Sequence, residues 1–182
     1  LFHLVVLLMT IDRKRDEESR LADLQSLGIL DSPGEERFDR LIRLTRRTFN
    51  VPFAALSLID EDREWFKSRQ GFEVSELPRE GSFSAEGIWQ PDVRGVHDAS
   101  LDPRFEQVAR DTGIKFYAGY PIHSHRGYPI GSLTIADTTP RAFSEEDRLC
   151  LMDLADLIEE EVTIQTLANV DDLTNLFNRR GF

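Results

Sequence analysis

Few side chains in this sequence of 182 residues are of a type and spacing that could do covalent chemistry. There is one thiol, Cys150, set in the apolar run Leu149-Cys150-Leu151-Met152. A small buried hydrophobe is the plainer reading of it than a nucleophile. A single cysteine also forbids an intrachain disulfide and fits a reducing compartment. The histidines are His3, His97, His123 and His125. No pair of them has the i, i+4 spacing of a helical metal site. His123 and His125 would share one face of a strand and could chelate a metal if a strand ran through both; a solvated turn is the default. Recognition is better provided for. Trp65, Phe66, Phe83, Trp89, Phe105, Phe116, Tyr117 and Tyr120 gather in the middle of the chain, most of them as core. A small-molecule pocket there would take its walls from Trp65, Phe83, Tyr117 and Tyr120, with Ser84, Glu86 or Arg104 as polar anchors.

Composition narrows the partners. With 22 basic and 33 acidic residues the formal net charge is -11. Such a chain repels phosphate backbones, so nucleic acid is not an expected partner. The opening LFHLVVLLM is shorter than the roughly twenty residues a membrane span needs, and it lacks a basic start and a cleavage site. Residues 1–11 therefore read as an extension, with Met9 as a natural start. The expectation is a cytoplasmic protein that does not insert in a membrane.

The elements that must position these residues can be read from periodicity. Residues 12–27 carry Leu21, Leu24 and Leu27 at helical spacing and stop at Gly28. Ser32-Pro33 suggests an N-cap and first helical residue, and Phe38, Leu41, Ile42, Thr45 and Phe49 continue on one face until Asn50-Val51-Pro52. Phe53–Ile59 and Glu64–Arg69, joined by Asp60-Glu61-Asp62, suggest an antiparallel hairpin. An irregular stretch follows from Gly71, with short helices expected at 85–90 and 102–110 and a short strand at 93–96. Phe116–His123 and Tyr128–Ala136 are two more strands around Ser124-His125-Arg126-Gly127. Ser144 with Asp147 resembles a capping box, opening a helix with no Pro or Gly before Gly181. The order predicts an α+β fold with a central antiparallel sheet.

Five segments are similar to those of GAF domains of bacterial signalling proteins: RLADLQSLGILDSPGEERFDRL, VPFAALSLIDEDREWFKSRQG, ELPREGSFSAEGI, FYAGYPI and YPIGSLTIADTTPRAFSEED. The resemblance implies a sheet with the N- and C-terminal helices on one face and a small-molecule pocket on the other, over residues 12–160. Related domains often carry Cys-x-His where Ser84-Ala85-Glu86 stands here. That departure argues against sulfoxide reductase chemistry and against a covalent bilin, both of which use a thiol. Ser84 and Glu86 could pair at a pocket wall, or Ser84 or its neighbours could cap a short helix. The signature of cyclic-nucleotide GAF domains is not recognisable.

A second resemblance lies at residues 171–182, after a signalling helix or linker at 161–170. Asp171-Asp172-Leu173-Thr174-Asn175-Leu176-Phe177-Asn178-Arg179-Arg180-Gly181-Phe182 is similar to the opening of GGDEF (diguanylate cyclase) domains, with Asn175 where Gly is usual. That family's metal-binding carboxylates and guanine-binding residues would lie beyond Phe182. These residues are thus expected to hold no cofactor and do no catalysis, with GTP and Mg2+ belonging to the missing part. The resemblance implies a GAF sensor that controls cyclic di-GMP synthesis. The last helix is more apolar than one sheet face can cover, and Leu154, Leu157, Ile164 and Ala168 continue at three- and four-residue steps, which predicts a parallel homodimer through it. The alternatives are a dimerisation module with an empty pocket and a GAF-fold methionine sulfoxide reductase.

Overall fold

The computed structural model describes residues 16–178. The chain runs through α1 (16–26), α2 (Glu36–Phe49), β1 (Phe53–Ile59), β2 (Arg63–Gln70), β3 (Glu76–Pro78), α3 (Phe83–Gly87), β4 (Arg94–Val96), a 3-10 turn (Ala99–Leu101), α4 (Glu106–Thr112), β5 (Phe116–His123), β6 (Pro129–Asp137) and α5 (Glu145–Asn178). The six strands form one antiparallel sheet in the order β3-β2-β1-β6-β5-β4. This is the expected α+β architecture. Residues 1–11 with the expected helix start at 12–15, and the side chains of 171–182, lie outside the residues and side chains described.

One face of the sheet carries the main core. Leu24 of α1 and Leu27 just after it, Phe38, Ile42 and Phe49 of α2, and Leu151, Leu154, Ala155, Ile158 and Val162 of α5 pack on Leu56, Leu58, Phe116, Ala118, Ile122, Leu133 and Ile135. The helices sit there because their apolar residues recur at three- and four-residue steps and need a flat apolar surface to cover. The opposite face carries a smaller cluster of Phe83, Val96, Ala99, Phe105, Ala109, Ile114, Tyr117 and Ala136. It is roofed by α3, the 3-10 turn and α4.

Two local devices fix the edges of this arrangement. The capping box at α5 is present: Asp147 N donates to Ser144 Oγ at 3.1 Å and Ser144 N to Asp147 Oδ2 at 2.9 Å. The cap expected at Ser32 is not. Helix α2 begins at Glu36, with Glu35 as its cap residue. Ser32 Oγ donates instead to Ile29 O at 2.6 Å and accepts from Lys67 Nζ at 2.6 Å. Lys67 explains the delay. Ser57 pairs with Phe66 and Leu56 with Ser68, so Lys67 is the inserted residue of a β-bulge. Its ammonium is fully buried and donates to Ser32, Pro33 O and Glu35 Oε1. Those acceptors stay non-helical to satisfy it. Gln165 of α5 also donates to Glu35 Oε1, at 2.7 Å.

Strand β5 ends at His123, so the strand that would align His123 with His125 for a metal does not continue. Both the backbone N and Nδ1 of His123 lie within hydrogen-bond distance of Glu159 Oε1, at 2.6 and 2.9 Å. Among the described residues no group of three or more His, Cys, Asp or Glu side chains is placed to hold a metal. No described helix is long and apolar enough to cross a membrane.

Candidate ligand-binding site

Strand parity decides which residues face the second layer. On β2, Glu64 and Phe66 point to the side away from α1, α2 and α5, and on β5 Tyr117 does the same. On β6 the pocket-facing residues are Thr134 and Ala136. The segment after β3 turns back over them. Ser82 caps α3 by accepting from Ala85 N at 3.1 Å, which aims Phe83 and Ser84 down at the sheet. Helix α4 closes the far side with Val108, Asp111 and Thr112. Between these elements lies a cavity of about 200 Å³, room for on the order of seven waters at ~30 Å³ each.

The walls are mostly apolar, with Phe66, Phe72, Leu77, Phe83, Val108 and Ile114 among them. Phe83 stacks on Tyr117 with ring centroids 4.7 Å apart and tilts against Phe105 at 4.4 Å. The hydroxyls form a single directed chain. Tyr117 donates to Ser84 Oγ at 3.3 Å, Ser84 and Thr134 share a bond of 3.3 Å, Thr134 donates to Ser132 Oγ at 3.3 Å, and Ser132 to Tyr120 O at 3.3 Å. Burial, reinforced by the charge of Glu64, pushes the Tyr117 phenol above its ordinary range. It stays a neutral donor. Gly119 makes this possible: a Cβ there would lie 2.2 Å from the Tyr117 hydroxyl.

Glu64 is the exception in this lining. It is 4% exposed. It accepts from Ser82 Oγ, and among the described residues it has no cationic partner. The other charged lining residues, Glu80 and Asp111, are exposed and also acidic. Among the described residues no Lys, Arg or His lines the cavity.

Of the seven residues expected at a pocket, the structure brings Phe83, Ser84 and Tyr117 together. The other four lie elsewhere. Trp65 and Tyr120 sit against the main core, on the helix-covered face. Each is displaced by an odd number of strand positions from a pocket residue, Trp65 beside Phe66 and Tyr120 three beyond Tyr117, so each points the other way. Arg104 is exposed and pairs with Asp102 at 2.6 Å. Glu86 is exposed on the outer side of α3 and lines no part of the cavity. The suggested pairing of Ser84 with Glu86 is replaced by the Tyr117–Ser84–Thr134 chain, and the helix cap is Ser82. Glu64 was missed because a Glu at the start of a hairpin strand, beside an acidic turn, looks solvated; its place two before Phe66 on an alternating strand was the available signal.

Cys150 is on α5, on the far side of the sheet from this cavity. Burial and the carboxylates of Asp153, Asp147 and Glu146 push its thiol up, away from the reactive thiolate.

Comparison with known proteins agrees with this architecture. The model of the GAF domain family matches residues 33–162. A cyclic di-GMP phosphodiesterase of Pseudomonas aeruginosa is 35% identical over 169 residues, which is 90% of this chain. The chain spans 29% of that relative's length. Among solved structures, the GAF domain from an Acinetobacter phosphoenolpyruvate-protein phosphotransferase superposes with a TM-score of 0.59 and 18% identity, covering 86% of this chain and 98% of that one. The free methionine-R-sulfoxide reductase from Neisseria meningitidis, in complex with its substrate, gives 0.60 and 19%, covering 78% and 87%. At such identities these two likenesses concern the fold.

Proposed function

The chain belongs to the GAF domain family, and from that premise we propose that it is a sensory domain that reads a small molecule in the cavity and governs an enzyme of cyclic di-GMP turnover attached through α5. The observation that carries this is the course of α5. Its first turns pack on the sheet and on α2, and it then continues as one helix to Asn178, 34 residues in all. At 1.5 Å per residue that is a rod of about 50 Å. A shift where it rests on β5 is transmitted along it to whatever follows.

The output is proposed to be a diguanylate cyclase, on the strength of the Asp171–Phe182 sequence, with GTP and Mg2+ required there and no catalysis by these residues. The Pseudomonas relative is named for breaking the same messenger down, which supports the messenger rather than the direction of the reaction. We further propose a parallel homodimer along α5, because cyclase chemistry joins two GTP molecules held by two facing domains. Leu149, Leu157, Ile164 and Leu167 remain 49%, 44%, 54% and 62% exposed on it. Leu154, expected in that seam, is instead 7% exposed and belongs to the main core. A sulfoxide reductase reading finds no support in a cavity with no Cys or Met among the described residues of its lining.

The relay is tested in the full-length protein by inserting residues near Thr163 and measuring cyclic di-GMP formation at fixed GTP. Four inserted residues leave a helical seam about 50° out of register and seven restore it. The expected result is altered output for four and near-parental output for seven. Equal output for both insertions and the parent would reduce α5 to a tether.

A further inference from the structure

The cavity has a sign. Its three charged lining residues, Glu64, Glu80 and Asp111, are all acidic, and among the described residues no cation lines it. Glu80 and Asp111 stand exposed, where they set the field that an entering molecule meets. Glu64 lies inside, 4% exposed. The hydroxyls of Tyr117, Ser84, Thr134 and Ser132 donate to one another and end on the Tyr120 carbonyl, so they are already satisfied. The strongest acceptor still facing the cavity is the Glu64 carboxylate, which has one hydroxyl partner, Ser82. A buried carboxylate without a cation is costly unless something donates to it.

We propose that this cavity selects a small organic amine: a cationic N–H head on Glu64 and a short branched or cyclic apolar body against Phe66, Phe83, Val108 and Ile114. The proposal rests on the cavity being the sensory pocket. Anions are rejected, nucleotides and free carboxylates among them, because each would enter a site of like charge with no donor cation to receive it. A bare metal ion is a poor occupant, since the walls are apolar and no ligand cluster exists among the described residues. The volume of about 200 Å³ suits a small body. Ser82 joins the occupied site to the chain: it bonds Glu64 and caps α3, while its backbone N donates to Arg79 O. Arg79 in turn donates to Glu17 of α1 at 2.7 Å.

Three molecules of one shape test this: 3-methylbutylamine, 3-methylbutanol and 3-methylbutanoate, titrated calorimetrically into the purified protein at pH 7 and fixed ionic strength. The amine is expected to bind on the order of tenfold more tightly than the alcohol, as a charge-assisted hydrogen bond does over a neutral one. The carboxylate is expected not to bind. Glu64→Gln should remove most of the amine's advantage over the alcohol, leaving only what the exposed Glu80 and Asp111 contribute, with circular dichroism confirming the fold. The exposed double variant Glu80→Gln/Asp111→Asn should weaken the amine severalfold and flatten its salt dependence; it decides the matter if Glu64→Gln does not fold. Equal binding of alcohol and amine to the wild type overturns the amine class and leaves the pocket standing. Failure of all three to bind overturns the proposal, while the insertion experiment judges the sensory relay separately.

Discussion

Gly119 shows how much one residue without a side chain can hold in place. Any Cβ there meets the Tyr117 hydroxyl, which must then leave Ser84. Gly119→Ala is expected to cost about 1–3 kcal/mol by overpacking and a broken buried hydrogen bond. A fall in thermal midpoint, with loss of the stacked Phe83–Tyr117 signal in near-ultraviolet dichroism, would show it; an unchanged spectrum would mean the phenol sits elsewhere. A second prediction concerns Glu17. Burial opposes its charge, but hydrogen bonds from Arg20 and Arg79 more than offset this and hold the carboxyl at about 2, against an ordinary 4.5. A depressed folded value contributes stability that is complete above about 4.5 and is lost as pH falls towards 2. Glu17→Gln should lower stability at pH 7 and flatten the decline between pH 4.5 and 2 in denaturant melts. An acid limb identical to the wild type would remove Glu17 from the account. The expected pocket residues were legible in part for a reason visible here. Residue type pointed to aromatic and hydroxyl side chains, but only strand parity separates Tyr117 from Tyr120 and Phe66 from Trp65.

Elements were more legible than sites, because periodicity reports burial directly. Phe53–Ile59 and Phe116–His123 fall where their apolar runs place them. The short strand Glu76–Pro78 was not expected, since three residues with alternating exposure carry no periodic signal; it exists because β2 offers it an edge. The entry to α2 was misread because a capping pattern is local, whereas Lys67, 32 positions from Glu35 along the chain, claims the acceptors that would have capped it. The capping box at Ser144 competes with no such distant partner. Ser144→Ala is expected to destabilise the domain by about 1 kcal/mol. Amide exchange should rise in the first turn of α5, at residues 145–148. Unchanged exchange there would mean that packing on the sheet, not the box, starts the helix.

At the scale of the molecule, α5 divides its apolar residues between two tasks. Leu151, Leu154, Ala155, Ile158 and Val162 are consumed by the chain's own sheet. Leu149, Leu157, Ile164 and Leu167 are left over. If the second set forms the proposed dimer seam, Leu157→Asp with Ile164→Asp should give monomers by light scattering at micromolar concentration, with the unfolding midpoint of the GAF fold little changed. A monomeric wild type would end the dimer proposal, and a dimer that survives both substitutions would place the contact between subunits elsewhere.

The strand order β3-β2-β1-β6-β5-β4 has a kinetic meaning. Each half of the sheet, β1 to β3 and β4 to β6, is assembled from pairings within its own stretch of chain. The seam between them joins Ala54 to Ile135 and Leu56 to Leu133, so it closes a long loop before any of its contacts can be gained. On a ribosome the first half emerges with its β1 edge bare, and that edge stays open to the wrong partners until β6 arrives. The helices that cover the finished seam come from both ends of the sequence, so neither end alone can complete its own core.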